Sequence, residues 1–305
     1  MRPSTVSLII PTYNHARHLH EAIESALAQT HPRVEVIVVD DGSTDETPDI
    51  LAKYHGRVTS FTQTNRGLAA ARNAGLRIAT GDYVAFLDAD DVLASNKLAE
   101  QAAVLKSDPR IGWTYCDVRM TNVVTGHDTV ASERFHYRRR RLNGWLFAEL
   151  VFANFIPAIA PMIRRSILEK AGGFDEALTA LEDWDLWLRV SLVAEARYLP
   201  AVLATYRLQP EGMSQDRTRM DANRFHVLEK AARAHQPAIA ALGGSGRQLL
   251  ADVQNWFGYQ AYARGDWAEA IRRLQASLRA WPWQRRAPVL LGMGYFRQWL
   301  TQSPR

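Results

Sequence analysis

Cysteine is nearly absent. Cys116 is the single one in 305 residues, so no internal disulfide can form. That fits a reducing compartment and leaves Cys116 as a small buried apolar residue. No Cys/His cluster has metal-ligand spacing, which argues against a zinc site. The first fourteen residues, MRPSTVSLIIPTYN, carry no h-region before a small-residue cleavage site and run straight into a strand pattern. They predict no signal peptide and a cytoplasmic location. A long uninterrupted apolar run is also missing. The nearest approach is GWLFAELVFANFIPAIAPMI (144–163), where Glu149, Asn154, Pro157 and Pro161 predict a buried helix followed by an extended segment and not a membrane span.

The chain has 37 basic and 32 acidic residues, and the imbalance is local. Residues 1–215 hold 23 basic against 26 acidic residues (net −3), and residues 216–305 hold 14 against 6 (net +8). The basic C-terminal part is compatible with an anionic membrane surface or a phosphorylated acceptor, and equally with a solvated arginine-rich surface. Nucleic-acid binding has the charge but no recognisable module.

VSLIIP (6–11) and VEVIVVDD (34–41) are continuous β-branched runs of the kind that form strands covered on both faces. Between them, Leu19, Ile23, Ala26 and Leu27 share one face of a helix that ends at Pro32. A strand around RVTSFTQT and a helix over GLAAARNAGLRIAT lead into YVAFLDADD. After Ser95, a candidate N-cap, NKLAEQAAVLKSDP is helical and IGWTYCDVRMTN is strand-like. LEDWDLWLRVSLVAE is predicted helical with Leu181, Trp184, Leu188 and Leu192 buried, and the strand ARYLPAVLATYRLQP follows. Alternating strands and helices predict an α/β fold with a mostly parallel sheet, whose ligands sit beyond the carboxyl ends of the strands. From about 216 the periodicity is helical throughout, which predicts domains at 1–215 and 216–305.

Two strand ends are acidic. In VIVVDDGSTDET, a carboxylate beside the Gly-Ser turn suits a base N–H or a ribose hydroxyl; an Asx-type turn starting the next helix, capped by Thr44 or Asp45, is the other reading. In YVAFLDADDV, Asp88, Asp90 and Asp91 crowd behind an apolar run. Two carboxylates about 4 Å apart repel by ~1 kcal/mol even in water, and a hard divalent cation with oxygen ligands offsets that charge. An acidic surface turn is the alternative.

SLIIPTYN, VVDDGSTDET, NRGLAAARNAGLRIATGDYVAFLDADD and LEDWDLWLRV, in this order and spacing, resemble the inverting family 2 glycosyltransferases of the GT-A fold over about residues 4–214. The resemblance implies transfer of a sugar from a nucleotide-sugar, UDP-linked or similar, to a hydroxyl acceptor on a glycan or lipid carrier, as in surface polysaccharide or glycolipid synthesis. Pro11, Thr12 and Tyr13 would line the nucleotide pocket, Asp41 would bind the base with Asp40 beside it, and Arg72 would lie near the nucleotide. Asp88 would approach the ribose. Asp90 and Asp91 would hold Mn2+ or Mg2+. Asp183 would be the base and Glu182 would contact the acceptor.

One position departs from the pattern. Many relatives carry histidine fourth in a YRxH segment after the base helix, and here YRLQ places Gln209 there, a weaker metal ligand that follows Arg207. The aromatics of FANFIPAIAPMIRRSILEKAGGFDE lie on the acceptor side by resemblance, although packing explains most of them. FGYQAYARGDWAEAIRRLQASLRAWP (257–282) resembles one tetratricopeptide unit, a surface able to meet a protein partner. Two other functions compete. A nucleotidyltransferase would carry a glycine-rich basic loop where this chain has PTYNHAR. A silent binding module with a partner-recruiting tail is favoured by Gln209 and opposed by Asp41, Asp90 and Asp183.

Overall fold

The computed structural model describes residues 4–210, 212–283 and 287–302. Two compact units follow one another, Met1–Met220 and Asp221–Arg305.

In the first unit the β-branched runs form β1 (Val6–Thr12) and β2 (Val34–Asp40), and all seven residues of β1 are buried. Helix α1 (Ala16–Leu27) joins them through Leu19, Ala22, Ile23 and Ala26; the expected Leu27 is half-buried, and Ala22, one turn before Ala26, takes its place. There follow α2 (Thr47–Lys53), β3 (Thr59–Thr62), α3 (Leu68–Ile78), β4 (Tyr83–Phe86), β5 (Val92–Leu93), α4 (Lys97–Ser107), β6 (Ile111–Asn122), β7 (Asp128–Val130), α5 (Ala131–Arg134), α6 (Phe147–Leu150), β8 (Pro161–Arg164), α7 (Arg165–Ala171), α8 (Glu182–Val190) and β9 (Glu195–Leu208). The cap of α4 is Asn96, not Ser95, and its side chain makes no capping bond; Ser95 instead offers its carbonyl to the Thr30 N–H.

The strands form one sheet in the order β3-β2-β1-β4-β8-β6-β9-β5, with β7 against β6. Its first four strands are parallel. Strand β8 is antiparallel to both neighbours, β9 is parallel to β6, and β5 is antiparallel to β9. This is the mixed α/β sheet that the GT-A resemblance implies, with its parallel half carrying both acidic strand ends. The chain steps outward from β1 to β3, then returns to place β4 on the other side of β1. That reversal falls between β1 and β4, and the carboxyl ends of strands at such a switch point flank the crevice where these sheets take their ligands. Helix α3 lies so close over β1 that a Cβ at Gly75 would meet Ile9 Cγ2 at 2.5 Å.

The 144–163 stretch is less helical than its pattern predicts. A single turn, α6, gives way to irregular chain and then β8, because Pro157 and Pro161 cannot continue a helix. Indole N–H groups of Trp184 and Trp187 bind the carbonyls of Leu150 (2.7 Å) and Ile156 (3.2 Å), fixing this segment to α8. Among the described residues no helix is long and apolar enough to cross a membrane.

The second unit contains most of α9 (Arg217–Ala234), then α10 (Gln236–Ala241), α11 (Gly244–Ala263), α12 (Trp267–Ala280) and α13 (Ala287–Gln302). Asp266 caps α12 by accepting the Glu269 N–H at 3.1 Å. Ser277 donates to the Ala251 carbonyl at 2.8 Å, and Arg273 Nε pairs with Glu269 at 2.7 Å and its Nη1 with Glu229. These bonds tie α12 to α11 and α9 around buried Ala251, Ala261, Ala270 and Leu274.

Candidate active site

The first acidic strand end holds the floor of the crevice. Asp41, 3 % exposed, accepts the backbone N–H groups of Arg66 (3.0 Å) and Gly67 (2.7 Å) and the Gln63 side-chain amide (2.8 Å). Those bonds fold residues 63–67 over the end of β2. The turn between needs Gly42, which has φ +81° and lies where a Cβ would come within 3.0 Å of the Asn65 nitrogen. Asp40 is sealed beneath, accepting from Ser43 N–H (2.9 Å) and the Thr62 hydroxyl (3.1 Å). It closes the turn and presents no free face.

Loop 13–15 is clamped to the same turn. Asn14, at φ 54°, donates its N–H to Ser43 Oγ and accepts the Thr44 N–H, while Asp45 accepts the N–H groups of Ala16 and Thr47. Asp45 thus holds the start of two helices, whereas the residue at the α2 cap position is Glu46. Above this clamp Tyr13 is 44 % exposed, Pro11 and Thr12 are buried, and Thr12 Oγ1 is a buried hydroxyl without a partner among the described residues.

The second acidic end turns sharply, the Asp91 N–H bonding the Asp88 carbonyl at 3.0 Å. The three carboxylates divide. Asp91 is fully buried; its Oδ1 accepts the Arg207 N–H at 2.8 Å, and its Oδ2 is buried without a partner among the described residues. Burial, then the charges of Asp90 and Asp88, push its carboxyl well above the usual range. Burial and Asp88 push Asp90 upward too. Asp88 is partly open and bonds Arg72. Among the described residues no three His, Cys, Asp or Glu side chains converge as a ready-made metal cage. The donor set instead suits a hard cation that takes one or two protein carboxylates and completes its shell with phosphate and water oxygens. The partnerless Asp91 Oδ2 and the two raised carboxyls mark the charge such an ion would offset.

From β9, Arg207 reaches back across this corner. Its Nη1 donates to the Asp90 carbonyl (3.1 Å) and its Nη2 pairs with Glu21 of α1. Gln209 Nε2 lies 3.3 Å from His18 Nε2, also on α1, so the strand end carrying Arg207 and Gln209 is joined to the first turns of that helix.

Helix α8 brings Glu182 and Asp183 to the same crevice. Buried Arg72 forks between the two acidic sets: Nη2 to Asp88 Oδ1 at 2.6 Å, Nη1 to Glu182 Oε1 at 2.5 Å. Its guanidinium stacks 5.3 Å over Phe174 and its Nε has no partner among the described residues. Glu182 is therefore buried and paired. Leu181 and Leu192 are half-buried, and the buried face of α8 runs instead through Trp184, Leu186, Trp187, Leu188 and Val190. Leu181 precedes the helix at φ 60°, turning Glu182 inward. Asp183 stays half-buried, accepting the Trp184 N–H (2.7 Å) and the Asn154 amide (3.4 Å). Burial, then the Glu182 charge, raise its carboxyl to about 7, although Arg72 opposes them.

Several participants escape sequence reasoning: Asn154, Phe174, Gln63, Glu21 and His18. Each meets its partner only through the tertiary fold, Asn154 from the chain after α6 and Asp183 from α8, Gln63 and Asp41 from the ends of the paired strands β3 and β2. The asparagine of PTYN was a visible signal for the clamp. Of the aromatics in the 152–176 segment, Phe155 and Phe174 are buried and Phe152 is 42 % exposed.

Residues 7–171 match the sequence profile described as Glycosyl transferase family 2. The chain belongs to this family. An uncharacterized glycosyltransferase of Rickettsia prowazekii is 34 % identical over 67 % of this chain and 64 % of its own length. The chain spans 34 % of two other rickettsial relatives. The Escherichia coli protein named UDP-Glc:alpha-D-GlcNAc-diphosphoundecaprenol beta-1,3-glucosyltransferase WfaP is 29 % identical over 77 % of this chain and 90 % of its own. Among solved structures, the mannosyltransferase PcManGT of Pyrobaculum calidifontis, in complex with GDP-Man and Mn2+, superposes with a TM-score of 0.62 at 25 % identity, covering 99 % of this chain and 84 % of that one. The family 2 profile includes both acidic strand ends and Arg72; α8 and β9 lie beyond it.

Proposed function

We propose that this family 2 member is a metal-dependent, inverting glycosyltransferase. It moves a sugar from a nucleotide-sugar, UDP-linked or similar, to a hydroxyl of a glycan or lipid-linked acceptor in surface polysaccharide or glycolipid synthesis. The observation that carries the reading is the Arg72 fork, which ties the second acidic strand end, through Asp88, to Glu182 at the start of α8, next to Asp183. Single-step inversion needs these two things together, a charge-neutralising donor corner and a base poised near neutrality.

Tyr13, Thr12 and Pro11 and the Asp41 loop form the nucleotide side, with Asp88 toward the ribose. Asp90 is the metal residue, with Asp91 Oδ2 behind it; Gln209 is a weaker oxygen donor at the edge. A divalent cation bound there supplies Lewis acidity and positive charge to the departing diphosphate. Asp183 takes the acceptor hydroxyl's proton as the oxygen attacks, with Asn154 steering its carboxylate. Glu182, neutralised by Arg72, orders the acceptor side through Asp183's position. The names of the E. coli and Pyrobaculum relatives support the nucleotide-sugar and metal parts of this reading.

Titration of UDP with and without Mn2+ tests the metal. Binding should tighten by at least about tenfold, some 1.4 kcal/mol, when Mn2+ is added, and Asp90→Asn should erase the difference. Equal binding in chelator removes the metal assignment. The net charge of +8 beyond residue 215 supports peripheral contact with anionic lipid at the inner face of the membrane. Salt-sensitive co-sedimentation with phosphatidylglycerol vesicles is expected, and its absence removes that contact.

A further inference from the structure

The helical unit contains a cavity of about 650 Å³ between α9, α11 and α13, lined among others by Arg224, Phe225, Asp252, Asn255, Trp256 and Tyr259. Its volume lies within the range of small-molecule sites. Neither the donor nor the acceptor chemistry above uses it.

Its wall is aromatic. Phe225 and Trp256 stack at 4.7 Å and 16°, and Phe257 meets Trp256 edge-on at 4.8 Å, so the indole is held rigid. Tyr259 stands at the rim, 52 % exposed. The polar groups are unusual for a packing defect. Asn255 Oδ1 is buried with no hydrogen-bond partner among the described residues. Burial raises the Asp252 carboxyl although Arg224 beside it opposes the shift. An unpaired buried acceptor costs about 1–3 kcal/mol, and hydrocarbon would leave it unpaired. A hydroxyl donor removes the cost.

Two acceptors, Asn255 Oδ1 and the Asp252 carboxylate, and one donor, the Arg224 guanidinium over the Phe225 ring, surround a rigid aromatic face. That inventory matches a pyranose, which presents hydroxyl donors at its edge, ring and hydroxyl oxygens to accept, and an apolar C–H face to stack. We infer that this cavity is a glycan-binding site that holds a sugar ring of an oligosaccharide, built wholly from the second unit. Choosing carbohydrate over another polyol rests on the glycosyltransferase reading; the geometry of the cavity does not.

Saturation-transfer NMR on the full chain, with triacetylchitotriose and with maltotriose as probes, tests this. Transfer to ring protons of at least one trisaccharide is expected, undiminished by excess UDP and diamagnetic Mg2+. Asp252→Ala, at an exposed position, and Trp256→Ala should each weaken binding by about tenfold or more. No transfer to either sugar overturns the inference. So does transfer that UDP abolishes, transfer unchanged in Asp252→Ala, or transfer only to the alkyl chain of decyl phosphate. UDP and Mg2+ binding measured on the same samples separates failure of this site from failure of the donor site.

Discussion

Asp183→Asn is expected to leave UDP binding within about twofold of the parent while lowering turnover by roughly 10²–10⁴-fold, the usual contribution of a positioned general base. The substitution preserves the acceptors for Trp184 N–H and Asn154, so the helix should not move. The parent enzyme carries a second signature. A base must be deprotonated to act, and this carboxyl is raised to about 7. Turnover should therefore fall as pH drops through about 7 and plateau above it. Turnover that persists in Asp183→Asn, or a rate flat from pH 5 to 8, removes Asp183 as the base.

Arg72→Met should give the largest loss of stability in the first unit. The side chain is 1 % exposed and pairs with both Asp88 and Glu182, the latter 5 % exposed. Removing one partner of a buried ion pair typically costs about 3–5 kcal/mol, because the other charge is left without compensation. For a unit of this size the melting temperature should drop by roughly 10 °C. Arg72 also holds the Asp183 carboxyl down, so its loss should move the acidic limb of the rate profile to higher pH. A merely structural arginine would lower stability without moving that limb. A loss of under about 2 °C would show that the fork contributes little.

The sheet was legible where burial is two-sided. β1 and β2 are continuous β-branched runs, and IGWTYCDVRMTN matches β6 residue for residue. The shortest strands were not legible: β5 and β7 have two and three residues, too few for a period to register. Helix α8 shows a different limit. Its leucine and tryptophan spacing predicted one stripe, yet Glu182 and Asp185 are buried too, because Arg72 and Arg189 meet them there. Arg72 comes from 110 residues away, and no local pattern announces it. The acidic strand ends were legible as a set, since like charges after an apolar run need an explanation. Their division was not: Asp40 and Asp91 are sealed by Thr62 and by the Arg207 N–H, partners that only tertiary pairing supplies.

The loop that Asp41 fastens over β2 bears on how the donor binds. Ordering a residue's backbone costs about 1–2 kcal/mol in conformational entropy. Arg66 and Gly67 are already held by the carboxylate, and Asn14, Ser43 and Thr44 hold one another. On the proposed reading the nucleotide meets a surface whose freedom was lost during folding. Its association should show the small heat-capacity change of a preformed site, and not the large one of a segment that folds around its ligand.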